Sequence, residues 1–316
     1  NRNVIERAKT IMPYLTYDNS PYLVITNEGN LVWVIDAYTT SKYYPYSQKS
    51  NVNGQEINYI KNSVKVLVDA YNGKVEFYIT DRTDPIAMAY NKAFPDVFMD
   101  IDKEIPSEIS EHFTYSEFLY NIQAEILKRY HNTEPDVLYR ANDVWDIAKY
   151  GAGTNSSTQQ TTQMIPYYAI VKTTDSEQTK LGLVLPYTIQ GKQSIAGYTV
   201  GTYENGKIVM KLYRYSSDNT VLGPMQLDTQ ISQNESISKE IESLNVSGTK
   251  LTKNIVVVPI NNKLIYVESI YQEYINESDS LPKLRKVVIA SGNKMAIGDD
   301  LKSALSNLLS QAFNIE

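Results

Sequence analysis

Apolar residues first recur at helical spacing over residues 4–12, where Val4, Ile5, Ala8, Ile11 and Met12 share one face and Pro13 stops the pattern. A short amphipathic helix is predicted there. The period then changes. Two β-rich runs, 22–25 and 31–35, flank Asn27-Glu28-Gly29-Asn30, and two more, 64–71 and 75–79, flank Asn72-Gly73, whose residues tolerate the positive φ of a two-residue turn. Both pairs read as hairpins. They share a phrase, Val34-Ile35-Asp36-Ala37-Tyr38 and Leu67-Val68-Asp69-Ala70-Tyr71. Asp36 and Asp69 are therefore expected at strand ends, fixing turns through backbone N–H groups.

Helices follow. Asp84 before Pro85 is an N-cap followed by Pro at the first helical position, opening a helix that halts at Phe94-Pro95. Ser116 caps a longer helix whose Leu119, Ile122, Ile126 and Tyr130 lie at apolar-face spacing. Residues 151–163 are small and polar throughout and read as a linker or long loop. Beyond them β-rich runs dominate, at 167–172, 181–185, 198–203, 208–215, 255–260, 264–267 and 284–290, with hairpin turns at Asn205-Gly206 and Asn261-Asn262. One helix is expected near 237–244, and a last one starts at Asp299 with Leu301, Leu305, Leu308 and Ala312 on one face. Strand runs with scattered helices and no β-α-β alternation predict an α+β fold of largely antiparallel sheets and hairpins. The expected organisation is a mixed hairpin and helix subdomain over 1–150, the polar linker, and a strand-rich subdomain over 164–316.

Composition narrows the chemistry. Tyrosine is abundant, 26 residues against 6 Phe and 2 Trp. Its ring can be half buried with the hydroxyl wet, which suits sheets with one exposed face and surfaces that bind sugars or peptides. A net charge of −6 repels phosphate backbones, so nucleic acid is not an expected partner. The absence of cysteine excludes thiol catalysis, disulfides and thiolate metal sites. No run of 18 apolar residues is present, and the first residue is Asn1 with no signal pattern after it, so an internal fragment is expected, with any anchor upstream.

Familiar catalytic patterns fail one by one. His112 and His131 are the two histidines, and neither stands in His-Glu-x-x-His; His131, after an apolar helix face, reads as a neutral histidine at a helix end. Gly201–Lys207 has phosphate-loop spacing, but Ile208 follows where magnesium needs a hydroxyl. Ser247-Gly248-Thr249-Lys250 and Ser217-Asp218-Asn219 stand in the wrong order for a penicillin-binding enzyme. Asp96, Asp100 and Asp102, with Glu104, are weak candidates for a metal, since they lack the central Gly and closing Glu of a calcium loop. No cofactor is expected.

Several phrases carry a family likeness: Leu15-Thr16-Tyr17-Asp18, Asp36 to Ser41, Tyr44-Pro45-Tyr46-Ser47, Asn58 to Val66, Gln123-Ala124-Glu125, Tyr130-His131, Asp136 to Tyr139, Gly223 to Gln226, and Leu264 to Glu268. Over nearly the whole chain they resemble uncharacterised protein family 0182, large bacterial membrane proteins with N-terminal transmembrane helices and a big extracytoplasmic C-terminal region. Residues 152–163 have no counterpart in that pattern. Phe113-Thr114-Tyr115-Ser116 stands where the family reads Arg-Tyr-Pro, which weakens any site built around His112. The resemblance implies an outward-facing region at the cell membrane, tethered through helices upstream, and supplies no activity. Residues 66–75 are also similar to the strand-turn phrase of PepSY modules, small extracytoplasmic domains associated with peptidase regulation.

The functional expectation is a region that binds an envelope peptide, glycan or protein partner. Its candidate contacts are Tyr43, Tyr44 and Tyr46, clustered beside Pro45, with Asp36, Tyr38, Asp69 and Tyr71 from the repeated phrase. Two rival expectations are an envelope hydrolase using carboxylates such as Asp36 and Asp69 and a structural ectodomain of a transporter or export complex.

Overall fold

A computed structural model describes residues 2–52, 54–151, 161–172, 178–204, 206–216, 220–261, 263–275 and 281–313. The chain packs into two compact units, Asn1–Ile122 with Tyr203–Ile208, and Gln123–Thr202 with Val209–Glu316. The architecture is α+β with antiparallel sheets.

The first unit opens with α1 (Val4–Ile11), capped by Asn3, whose Oδ1 accepts from the amides of Ile5 (2.9 Å) and Glu6 (3.1 Å). Its sheet comprises β1 (Thr16–Tyr17), β2 (Tyr22–Ile25), β3 (Leu31–Ser41), β6 (Tyr59–Asp69) and β7 (Val75–Ile79), with the small hairpin of β4 (Ser50–Val52) and β5 (Gln55–Ile57) between β3 and β6. α2 (Pro85–Ala93), α3 (Ser107–Ser110) and α4 (Glu117–Tyr130) follow. Alternation sorts the sheet into two packed faces. Ile35, Ala37, Val64, Val66, Val68 and Phe77 pack with Ala8 and Met12, whereas Val34, Leu67 and Tyr78 pack with Ile109 and Phe113.

The second face carries a buried ion pair. Asp36 lies opposite Lys65 in the β3–β6 register, and Lys65 Nζ donates to Asp36 Oδ1 with both side chains almost wholly enclosed. Asn62 Nδ2 donates to the same oxygen at 2.5 Å, and the ammonium lies 4.8 Å from the Phe113 ring centroid and 5.8 Å from that of Tyr203. Asp36 is therefore mid-strand and not at a turn, because β3 runs on to Ser41. Asp69 does fix a turn, accepting from the amides of Tyr71 (2.8 Å) and Asn72 (3.0 Å). That turn is longer than the two-residue form expected: Val68 pairs with Val75, and Gly73 alone in it has positive φ.

α4 is capped by Ser116, whose Oγ accepts from the Leu119 amide at 3.4 Å. Its buried side chains are Leu119, Tyr120 and Ala124, while Ile126 and Tyr130 face solvent, so the expected apolar stripe is rotated.

The second unit holds α5 (Pro135–Arg140), β8 (Trp145–Ile147), β9 (Lys149–Gly151), β10 (Thr161–Gln163), β11 (Tyr167–Val171), β12 (Lys180–Ile189), β13 (Ile195–Glu204) and β14 (Lys207–Arg214). It continues with α6 (Pro224–Gln233), α7 (Glu235–Glu242), the meander β15 (Thr249–Ile260), β16 (Lys263–Tyr274), β17 (Lys283–Ser291) and β18 (Lys294–Gly298), and α8 (Leu301–Phe313). Of the polar tract, residues 152–160 lie outside the described residues, and its flanks pair as β9 and β10 with Thr161 opposite Gly151. Asn205 and Asn262 of the expected turns also lie outside them, while Gly206 and Asn261 have positive φ. α8 covers the meander with Ala304 and Leu308 against Val287, Ile289 and Ala296, leaving Leu301 and Leu305 exposed.

A second buried charge cluster lies here. Lys253 Nζ sits 2.8 Å from Asp228 Oδ1 and 3.3 Å from Glu268 Oε1. Burial opposes the charge on Lys253, but the two carboxylates outweigh it and raise its pKa; burial and then Asp228 push Glu268 up despite the lysine.

Removing one member of the Asp36–Lys65 pair leaves the other charged and buried. Lys65→Met is expected to destabilise the chain by about 3–5 kcal/mol, and Asp36→Asn combined with Lys65→Met to recover much of that loss. Urea denaturation measures both, and a double variant no more stable than Lys65→Met would contradict the pairing argument.

Candidate functional site

The ladder between β3 and β6 is interrupted once. Ala37 pairs with Val64 and Thr39 with Lys61, so the register shifts at Tyr38 before resuming through Thr40–Ile60 and Ser41–Tyr59. Beyond this bulge the chain leaves the sheet as a loop over residues 42–49, which carries Tyr43, Tyr44 and Tyr46. Tyr46 is fully exposed with a left-handed backbone (φ 61°), and Tyr43 and Tyr44 are 79% and 51% exposed.

Asn58 clamps this loop to the strand. Its Oδ1 accepts from the Tyr44 amide (2.9 Å), and its Nδ2 donates to the carbonyls of Tyr44 (2.7 Å) and Ser47 (3.3 Å). Ser47 Oγ donates to the Asn58 carbonyl at 2.7 Å, and Ser41 Oγ accepts from the Tyr43 amide at 3.1 Å. The Tyr44 ring stacks on Tyr59, 5.2 Å between centroids and 21° between planes. Tyr59 in turn donates to Asp84 Oδ1 at 2.9 Å.

Asp84 is the anchor of that chain. Wholly enclosed at the N-cap of α2, it also accepts from Thr39 Oγ1 (2.5 Å) and the Ile86 amide (3.0 Å). Burial alone would push its carboxyl up, but the donated hydrogen bonds outweigh burial and hold it below its ordinary value. Burial, followed by the hydrogen bond to Asp84 and its charge, pushes the Tyr59 phenol up, so it remains a neutral donor.

Beside the loop lies an open cavity of about 560 Å³ lined by Thr40, Ser41, Lys42, Tyr43, Gln55, Glu56 and Ile57. Lys49 closes on Glu56 at 2.7 Å. The arrangement offers aromatic faces next to hydroxyl, amide, ammonium and carboxylate groups.

The other expected contacts are not gathered here. Tyr38 is fully buried, donating to Asp18 Oδ2 (2.9 Å) and lying 2.6 Å from Ser116 Oγ, and Asp36 is held by Lys65. Tyr71 is exposed in the turn just past the far end of β6, a strand that runs roughly 33 Å from Tyr59 to Asp69 at ~3.3 Å per residue. Asp36 and Asp69 stand four residues apart on the ladder, on the order of 13 Å, wider than the ~5–9 Å of a glycosidase pair. Asp102 pairs with Arg82 at 3.1 Å, and Asp100 accepts from the Asp102 amide; among the described residues no three His, Asp or Glu side chains form a metal-binding group. His112 is exposed and His131 buried. Asn58, which orders the loop, opens one of the phrases that carry the family likeness, but nothing in its local pattern marks it as a clamp.

Fold and loop together define an α+β protein built on antiparallel sheets that presents a clamped aromatic loop. A family model described as "Uncharacterised protein family (UPF0182)" matches residues 1–244. The UPF0182 protein of Caldicellulosiruptor saccharolyticus is 40% identical over 315 residues, covering 98% of this chain and 33% of the relative. That of Methanospirillum hungatei is 38% identical over 309 residues, covering 96% and 34%. That of Desulfitobacterium hafniense is 36% identical over 317 residues, covering 98% and 32%. The chain thus spans about a third of the length of these curated relatives. No solved structure matches it. The chain belongs to the UPF0182 family.

Because the folded pKa of Asp84 lies below the unfolded value of about 3.9, the unfolded chain binds the extra proton as pH falls. The stability Asp84 contributes is present above about pH 4 and lost as pH drops through its folded value. Asp84→Asn is expected to flatten the fall of unfolding free energy below pH 4. An unchanged slope would show that this carboxylate does not drive it.

Proposed function

We propose that this chain is an outward-facing binding region of a membrane-anchored UPF0182 protein, and that the tyrosine loop holds an envelope glycan. The observation that carries the reading is the presentation of Tyr43, Tyr44 and Tyr46 to solvent on a loop that Asn58 fixes in place. Aromatic rings left bare cost hydration free energy, and clustered exposed apolar surface marks interaction sites. A sugar ring has apolar C–H faces that stack on tyrosine and hydroxyls that need partners. The adjoining cavity supplies them in Thr40, Ser41, Gln55 and Glu56. The clamp lowers the ordering cost of binding, since the loop need not be fixed by the ligand. Location is supported by the likeness to a family of membrane proteins with a large outward region; among the described residues no helix is long and apolar enough to cross a bilayer.

Titration of the chain with fragments of envelope polysaccharide is expected to give saturable binding by calorimetry, weakened about tenfold, or ~1.4 kcal/mol, by Tyr43→Ala or Tyr46→Ala. Binding of peptides with no response to glycans would reassign the ligand, and affinities untouched by either substitution would remove the loop from the site. In the full-length protein, Tyr46→Cys is expected to react with a membrane-impermeant maleimide in intact cells. Labelling only after lysis would overturn the outward orientation.

A further inference from the structure

The second unit contains a cavity whose charge runs against that of the chain. About 640 Å³ in volume, within the ~300–1,000 Å³ of small-molecule sites, it is lined by Lys192, Arg214, Asp143, Trp145, Ser194 and Thr220 among others. A smaller cavity of about 280 Å³ shares Tyr215 and Thr220 with it and adds Lys263. Among the described residues, two cations, Lys192 and Arg214, and one carboxylate, Asp143, line the larger cavity in a chain of net charge −6.

Asp143 is already engaged. Asp143 Oδ1 accepts from Trp145 Nε1 at 3.2 Å, and Oδ2 lies 3.2 Å from His131 Nε2 and 3.5 Å from Arg214 Nη2. His131 stacks on the Trp145 ring at 3.8 Å and places its Nδ1 2.9 Å from the Leu127 carbonyl. Both ring nitrogens therefore face oxygen acceptors, and both contacts are hydrogen bonds when the ring carries two protons. The Arg214 guanidinium lies 5.6 Å over the Trp145 ring. Its side chain is oriented by an aromatic face and a carboxylate, yet its five donors far exceed that one contact.

The walls are held from both sides. The Tyr215 amide donates to Ala196 and the Ile195 amide to Val221, each at 2.9 Å. Gly197 permits the close approach: a Cβ there would lie 2.5 Å from the Tyr213 carbonyl and 3.1 Å from Trp145 Cη2.

We infer that this cavity is a binding site for a small anionic ligand, a carboxylate or a phosphate, held by Arg214 and Lys192 with hydroxyl support from Ser194 and Thr220. Arg214 supplies a planar, pre-aligned fork and Lys192 a mobile point charge at the rim. The site is separate in sequence and chemistry from the tyrosine loop and does not depend on it.

Trp145 is the natural reporter, and Trp33→Phe isolates its fluorescence. In that background, titration with citrate and with inorganic phosphate is expected to give a saturable change with Kd near or below ~1 mM for at least one of them. A response to citrate alone assigns a carboxylate ligand, and to phosphate alone a phosphate ligand. Arg214→Gln and Lys192→Gln are each expected to raise Kd at least tenfold, with Arg214→Lys intermediate and the circular dichroism unchanged. Lys192→Gln alters an exposed side chain, so its loss of affinity cannot be ascribed to unfolding. No saturable response to either anion up to about 10 mM, or affinities unaltered by Lys192→Gln, would overturn the assignment.

Discussion

The antiparallel register that sets Asp36 opposite Lys65 is the constraint on which the first unit depends. Two charges enclosed by a sheet face and aromatic rings must meet each other, since either one alone would be desolvated without compensation. A slip of one residue would turn one strand over relative to the other, carrying its charge into the face where Ile35, Ala37, Val64 and Val66 pack with α1 and leaving the partner charge unpaired. Charge pairing and apolar alternation therefore demand the same register. With that register fixed, the bulge at Tyr38 falls where the strand leaves the core, and the remaining pairs through Ser41 and Tyr59 set the base of the tyrosine loop.

The network around Tyr38 shows how the bulge is tolerated. Its hydroxyl donates to Asp18 and meets Ser116, which itself donates to Asp18 at 2.5 Å and caps α4. Burial, then the charges of Asp36 and Asp18, push the Tyr38 phenol up, keeping it a neutral donor. One polar cluster thus satisfies a strand irregularity and a helix start together. Asp84 has a similar double role, opening α2 as its N-cap and, through Tyr59, backing the ring of Tyr44.

Both proposed binding regions follow one physical rule in different chemistry. Asn58 immobilises a loop so that its tyrosines need no ordering on contact, and Trp145 with Asp143 orients the Arg214 guanidinium. Such preorganisation transfers the entropy of fixing a side chain from binding to folding.

The sequence by itself determined most elements and several of their ends. Asp84-Pro85 and Ser116 open helices as their local chemistry dictates, Asp69 makes its turn, and the runs at 22–25 and 75–79 are strands with the same bounds. It also made Tyr43, Tyr44 and Tyr46 legible as a cluster around a proline. It did not determine the role of Asp36, whose phrase is the same as that of Asp69, nor α6, nor the buried side of α4, nor the clamp at Asn58. Caps, turns and alternation depend on neighbours a few residues away, so they are written locally. Whether an aspartate ends a strand or neutralises a lysine depends on a partner 29 residues distant, and only tertiary pairing decides it.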